Sequence, residues 1–262
     1  DTIGILISEG HRVEAYKTNY EEILGVNDRI QLQEAARVLN RRILRRHMQN
    51  GVTIIDPEST WIDADVNIGC DVTILPGCTL TGQTTIGSET VVGPDAHLQD
   101  ARIGCRVRLD HVTARDCAIE EGTEAGPYAN IRPGSLIGPF CRIGNFVEIK
   151  NSTIGANSQI AHQCYIGDAD IGEDVTFGSC CSTANYDGLA KSRTTVGSHA
   201  FIGSNSSLVA PVNVADNSYV AAGSTITDNV QAYALAIARS RQVNKEHWVV
   251  NRGRIRGQRI NP

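Results

Sequence analysis

From Ile62 onward an aliphatic residue returns every six positions: Ile62, Ile68, Ile74, Leu80, Ile86, Val92 and Leu98, then Ile119, Ala125, Ile131, Ile137, Ile143 and Ile149. After a step of five it continues through Ile154, Ile160, Ile166, Ile171 and Phe177, and it resumes at Val196, Ile202, Leu208, Val214, Val220 and Ile226. An amphipathic helix needs a spacing near 3.6, so the pattern excludes helices here and favours short strands joined by regular turns. Gly often follows the aliphatic residue, and a small residue sits four positions after it: Val66, Val72, Cys78, Thr84, Thr90, Ala96, Ser135, Cys141, Val147, Ser158, Cys164 and Val175. These are the marks of a parallel β-helix of hexapeptide repeats, in which three short strands make a triangular coil of about 18 residues and coils stack. The aliphatic residue points inward, the small residue fits inside near a corner, and intervening residues face out.

Before the repeat lies a different grammar. Asn27 to Gly51, "NDRIQLQEAARVLNRRILRRHMQNG", has helical apolar spacing, an Asp near its start and a Gly at its end, and is expected to form one long helix. Its arginines 41, 42, 45 and 46 are expected to be a solvated face. Residues 1–26 are expected to supply two short strands, too little to bury a core. The opening "DTIGILISEG", without an initiator methionine, reads as the middle of something longer. The expected division is thus 1–26, a helix over 27–51, a solenoid over 52–238 and a basic tail over 239–262.

Composition narrows the function classes. In 262 residues the net charge is −5 and aromatics are 5%, which gives no basic footprint for nucleic acid. No run approaches the ~18 apolar residues of a membrane span and no signal-peptide pattern opens the chain, so a cytoplasmic protein is expected. The eight cysteines form no CxxC pair and are expected to be free thiols. Cys78, Cys141, Cys164 and Cys181 fall in the small inward position, where they act as small core residues.

The phase of the repeat sorts the polar residues. Ile160 and Cys164 point inward, so His162 projects outward. Arg132 and Lys150 are 18 apart, each directly after an inward isoleucine, and should stack along one edge; Tyr165 leads into that edge, and Glu148 holds the matching place one coil earlier. An exposed lysine or histidine alone is ordinary surface, but aligned Arg and Lys beside a Tyr make an anion pocket, with a planar fork and a point charge for phosphate. The register breaks between Phe177 and Val196 with an inserted loop carrying Asn185, Tyr186, Asp187, Gly188 and Lys191, placed as a site wall or an arm to a neighbouring subunit. A zinc enzyme on the same scaffold would need three clustered histidines, and a non-catalytic scaffold would leave the stacked cations and the loop without a purpose.

Eleven ordered stretches, "GVNDRIQL", "NRRI", "VTIIDP", "IRPGS", "GNFVEIKNSTIG", "AHQCYIGDADIG", "NYDG", "VGSHAFIGS", "LVAPV", "AAGSTIT" and "ALAIAR", resemble the bacterial bifunctional glucosamine-1-phosphate N-acetyltransferase/N-acetylglucosamine-1-phosphate uridylyltransferases. The resemblance implies a left-handed β-helix, an exception to the usual right-handed crossover, preceded by a long α-helix and a remnant of an α/β nucleotidyltransferase domain. It implies a homotrimer with sites between subunits, acetyl-CoA as donor and glucosamine-1-phosphate as acceptor, in the making of UDP-N-acetylglucosamine for cell-wall precursors. It implies His162 as general base, Arg132, Lys150, Tyr165, Asn185 and Lys191 as holders of the sugar phosphate, and Ser179, Tyr186, Ser204, Ala222 and Arg239 along the coenzyme A groove. Asn27 matches a residue that would help hold Mg2+ in an intact uridylyltransferase domain; without that domain's Gly-rich loop, uridylyl transfer is expected to be absent, and acetyl transfer needs no metal. The sequence departs from the family at Thr176, where Asn is usual, and at "GSCCSTA", which replaces a Gly-Ala-Gly-Thr run beside the acetyl group. Another hexapeptide-repeat acyltransferase acting on a phosphorylated or nucleotide amino sugar is the nearest alternative.

Overall fold

The computed structural model describes residues 2–252. Residues 253–262 of the expected basic tail lie outside the described residues. The body is a left-handed solenoid of parallel strands, each of seven residues or fewer. One face is an eleven-stranded sheet running from Thr53–Ile54 to Leu235–Ala236, and the remaining solenoid strands wrap the other two faces. Pairing is in register between coils: Ile131 aligns with Ile149, and Ile149 with Ile166. Each inward isoleucine therefore sits on the isoleucine of the coil below, and all three of these are fully buried. Burying a side chain of this size contributes roughly 1.5–3 kcal/mol, and the interior is little more than this stack repeated.

The small position has a second requirement that the pattern does not announce. Ser158 Oγ donates to the carbonyl of Gly172 at 3.0 Å, Cys141 Sγ to Gly155 at 3.1 Å and Cys164 Sγ to Gly178 at 3.3 Å. A hydroxyl or thiol there reaches a carbonyl of the next coil, so Ser, Thr and Cys are buried with a partner instead of an unsatisfied group. The glycine after the aliphatic residue answers to space: a Cβ on Gly155 would lie 2.4 Å from the backbone of Gly172, one coil away.

The stretch from Leu98 to Ile119, where the six-residue count lapses, is no interruption. Seven-residue strands His97–Ile103 and Thr113–Ile119 pair along six positions, and Ile103, Leu109 and Ala114 carry the inward stack in shorter steps. Cys117, unassigned by spacing, is buried there too. The inserted segment is also shorter than the pattern suggests. The coil persists through strand Ser182–Ala184, and the chain leaves it only to turn back, with Tyr186 and Lys191 forming an antiparallel bridge, before strand Thr194–Val196.

Helix α1 spans Thr2–Ser8 and helix α2 spans Arg29–Gln49. Asp28 caps α2 by accepting from the Gln31 N–H at 2.8 Å, satisfying one of the helix's free donors. Its inward face buries Asn40, Ile43, Leu44 and His47 over the first coil, and Asn40 is pinned at both ends of its amide, donating to Thr60 O at 2.8 Å and accepting from Ile62 N at 3.2 Å. The helix thereby closes the open end of the solenoid core. Burial, and then the charge of Arg46, lower the pKa of His47. All four arginines of the run are exposed, and two of them also make surface contacts: Arg42 pairs with Glu22 at 2.9 Å and Arg46 donates to Ala64 O at 3.0 Å.

The two strands expected within 1–26 do not form. That segment holds α1 and one short 3-10 turn, Tyr20–Glu22, with no strand among its described residues. An isolated strand leaves its backbone groups unpaired, whereas a helix pairs them within itself. Helix α1 buries none of its residues, so local pairing and not packing decides its form. A last helix, α3, spans Trp248–Asn251.

The eight thiols are all free, and their environments differ. Burial pushes Cys78 and Cys141 up to about 11 and Cys117 up to about 12. Since the thiolate is the nucleophile, these should be inert in the folded chain. Native protein treated with a maleimide at pH 8 should be labelled first at Cys70 and Cys180, which are exposed, then at the half-buried Cys105. Labelling of Cys78, Cys117, Cys141, Cys164 or Cys181 at a comparable rate would contradict the assignment of interior positions.

Candidate functional site

His162 ends the strand Gln159–His162, its imidazole exposed and without a hydrogen-bond or ion-pair partner among the described residues. Its carbonyl starts a ladder up one corner of the solenoid. Cys180 N–H donates to His162 O at 3.1 Å, Asn205 N–H to Ser179 O at 2.7 Å, and Gly223 N–H to Ser204 O at 2.8 Å. Arg239 follows at the top, with its Cδ 3.7 Å from where a Cβ on Gly223 would stand. One corner of one chain thus carries His162, Ser179, Ser204, Ala222 and Arg239 on successive coils. Beside this corner the Gly178 N–H is committed to Ile202 O at 2.7 Å, while that of Ser179 has no partner among the described residues.

A second group gathers on the neighbouring corner. Arg132 N–H donates to Ile149 O at 2.8 Å, Lys150 pairs in register with Gly167, and Asp168 N–H donates to Lys150 O at 3.0 Å, which brings Arg132, Lys150 and Asp168 to one corner on successive coils. Lys150 is within hydrogen-bonding reach of Lys191, brought back over the coil by the inserted turn. That contact first, then the charge of Lys191, some desolvation and the charge of Arg132, lower the pKa of Lys150, and Asp168 opposes the shift. Arg132 is held by Glu148 at 2.6 Å, both groups being partly exposed. Such a pair adds little stability, about 0–1 kcal/mol, but it fixes where the guanidinium points. Tyr165 bridges the two groups. It pairs in register with Glu148 and Ser182, and its ring lies along its own strand, Tyr165–Gly167, so that its hydroxyl oxygen is 2.4 Å from where a Cβ on Gly167 would be.

Several expected residues have other engagements. Asn185 is buried, and its amide nitrogen donates to Asp168 Oδ2. Tyr186 is exposed and donates its hydroxyl to Gly188 O at 2.7 Å, within its own turn. Thr176 lies in strand Thr176–Phe177, paired with Gln159 on one side and Phe201 on the other. Asn27 is exposed before α2, and its N–H donates to Gln31 Oε1 at 2.7 Å. One exposed amide without a carboxylate cluster does not suit Mg2+, which is held by carboxylates together with substrate phosphates, and no step is routed through such an ion. Among the described residues no group of three or more His, Cys, Asp or Glu is arranged to hold a metal ion. No helix of the described residues is long and apolar enough to cross a membrane.

Residues that the spacing did not flag complete the cationic corner. Asp168 is buried, accepts from Asn151 and Asn185, and faces Lys150 and Lys191. Arg193 grips Asp170 through Nε at 2.9 Å and donates from Nη1 to Asn151 O at 3.2 Å, tying the end of the inserted turn to the coil. The interval of 18 does not find Asp168: the coil after Lys150 is one residue shorter, so Lys150 aligns with Gly167 and Asp168 lies over Asn151.

Comparison with known proteins agrees with this architecture. A family description, "Hexapeptide repeat of succinyl-transferase", matches residues 193–228. The chain is 50% identical over 260 residues to the bifunctional protein GlmU of Acetivibrio thermocellus, covering 99% of this chain and 56% of that protein. It is 50% identical over 246 residues to GlmU of Brevibacillus brevis, covering 94% and 53%. The chain therefore spans about half the length of the curated relatives it matches. Among solved structures, an Arabidopsis UDP-N-acetylglucosamine acyltransferase superposes with a TM-score of 0.50 at 14% identity, covering 69% of this chain and 70% of that one, a likeness of fold alone. The chain is a left-handed β-helix of hexapeptide repeats, similar along nearly its whole length to the C-terminal part of bifunctional GlmU proteins.

Proposed function

We propose that the chain is an acetyltransferase that moves the acetyl group of acetyl-CoA onto the amine of glucosamine-1-phosphate. The observation that carries the reading is a spacing. His162 ends the strand before Tyr165–Gly167, and Lys150 pairs in register with Gly167 at the far end of that three-residue strand, so the strand lies between the imidazole and the cations. Strand residues rise ~3.3 Å each, so the strand's ends are about 7 Å apart. With the reach of the side chains, that span fits an acceptor carrying an amine and a phosphate on adjacent carbons of one sugar ring, laid over Tyr165. Similarity to GlmU proteins over 99% of the chain supports the same reading.

The chemistry follows from the groups at each end. The amino sugar reacts as its free amine, the ammonium proton having gone to solvent, and an imidazole is suited to take a second proton from the nitrogen as it attacks the thioester carbonyl. The charge that develops on the carbonyl oxygen can be met by the free N–H of Ser179. Collapse breaks the C–S bond, and the imidazolium returns its proton to the departing thiolate of coenzyme A. The donor lies along the corner that rises from Ser179 through Ser204 and Ala222, with Arg239 taking an anionic group of the coenzyme. Asn185 serves the acceptor side through its amide oxygen and through Asp168, and Tyr186 flanks the donor from the inserted turn.

All these groups stand on convex corners, whereas ligand sites bury most of the ligand's surface. A second wall comes from a neighbouring copy, and a closed ring of three gives three equivalent clefts. Sedimentation equilibrium should give three times the chain mass of 28.2 kDa; a fully active monomer would remove the shared cleft.

Removing His162 should cost kcat ~10²–10⁴-fold, the usual worth of a general base, with little change in melting temperature, because the side chain is exposed. Arg132→Ala and Lys150→Ala should each raise KM for glucosamine-1-phosphate by about tenfold or more and leave the slow acetylation of unphosphorylated glucosamine nearly unchanged. Near-normal turnover by His162→Ala, or equal losses on both acceptors, would refute these roles.

A further inference from the structure

The cationic corner raises a physical difficulty. Lys150 and Lys191 are within hydrogen-bonding reach of each other with Arg132 beside them, an arrangement that like charges resist. A free pocket of this kind would hold its cations apart or shed a proton. The residue that answers the difficulty is on the same corner. Asp168 is only 6% exposed, and its two carboxylate oxygens are divided between two amides, Oδ1 accepting from Asn151 and Oδ2 from Asn185. Asn151 follows Lys150 directly, and Asn185 begins the inserted turn that carries Lys191. One buried carboxylate therefore touches both segments that deliver the lysines.

Resting on the acetyltransferase reading, we infer that Asp168 is the positioning residue of the phosphate end: it docks the 185–191 turn through Asn185 and serves as the resident counter-ion that lets Lys150 and Lys191 stay protonated side by side. Burial alone would raise its pKa, but the amide hydrogen bonds and the charges of Lys191 and Lys150 together hold it below the usual carboxylate range. The other charged groups of the corner are already engaged, Arg132 with Glu148 and Arg193 with Asp170. Neither of those carboxylates is free to replace Asp168. An arriving phosphate then meets a pocket whose cations are assembled in advance, so ordering them costs little at the moment of binding.

The sign of the pH effect follows. Asp168 raises the pKa of Lys150 against the pull of Lys191. In Asp168→Asn, Lys150 should lose its proton at lower pH, and affinity for the anionic acceptor, which falls as pH rises, should fall earlier. The chain has four lysines, so their titrations can be followed together by NMR of 13C-labelled lysine. In the intact protein, Asp168→Asn should move the midpoint of Lys150 downward. It should raise KM for glucosamine-1-phosphate about tenfold or more, with kcat within a few-fold of the parent. An unchanged Lys150 midpoint, or a loss confined to kcat, would overturn the assignment. If Asp168→Asn does not fold, Asn151→Ala leaves the charge in place but frees one carboxylate oxygen, and should raise KM for glucosamine-1-phosphate with kcat little changed; an unchanged KM counts against Asp168 as a positioning residue. Titration of the parent with inorganic phosphate separates the two readings. A parent that binds phosphate but yields no acetylated sugar defeats the acetyltransferase reading, and the lysine titrations still decide the role of Asp168.

Discussion

In-register stacking of parallel coils is the constraint on which everything else here rests. Backbone N–H groups of the coils point along the solenoid axis to carbonyls of the coil above or below, so the residue above any side chain is fixed by chain length and not by chance contact. Ile131, Ile149 and Ile166 superpose for this reason, and so do the outward groups that follow them. The core and the site are products of one period. A change of one residue in coil length would shift inward and outward positions together, which explains why steps of five occur at corners and the inserted turn leaves the coil only between Ala184 and Thr194.

Much of this was legible in the sequence because the period is short and the two kinds of position differ in size and polarity. Counting by six found the interior, and counting by 18 aligned Arg132 with Lys150. The next coil is one residue shorter, so the same count misses the register there, and Asp168, over Asn151, carries an acidic side chain that did not fit the picture of an anion pocket built of cations. What spacing could not supply was the direction of a side chain within its corner. Nothing in "NYDG" says that Asn185 turns inward to a carboxylate while Tyr186 closes on its own turn. Strands expected before residue 27 failed for a different cause: the apolar residues of "TIGILIS" suit either state, and without a pairing partner the backbone takes the form that satisfies itself.

The two corners divide the chemistry between them. The corner of His162 has unengaged groups, an imidazole and the Ser179 N–H, as a place where protons and charge move would require. The corner of Lys150 is the reverse, since its cations are fixed by Glu148, Asp168 and the inserted turn before any ligand arrives. Tyr165 alone separates them, and the length of its strand sets which acceptors can touch both.

That length is open to direct measurement. Purified protein is assayed for release of the coenzyme A thiol from acetyl-CoA with glucosamine-1-phosphate, glucosamine-6-phosphate and glucosamine as acceptors. The account predicts high kcat/KM for the 1-phosphate, whose phosphate lies beside the amine-bearing carbon, and values lower by about tenfold or more for the other two. Equal rates with the 1- and 6-phosphates, or no thiol release with the 1-phosphate, would contradict it.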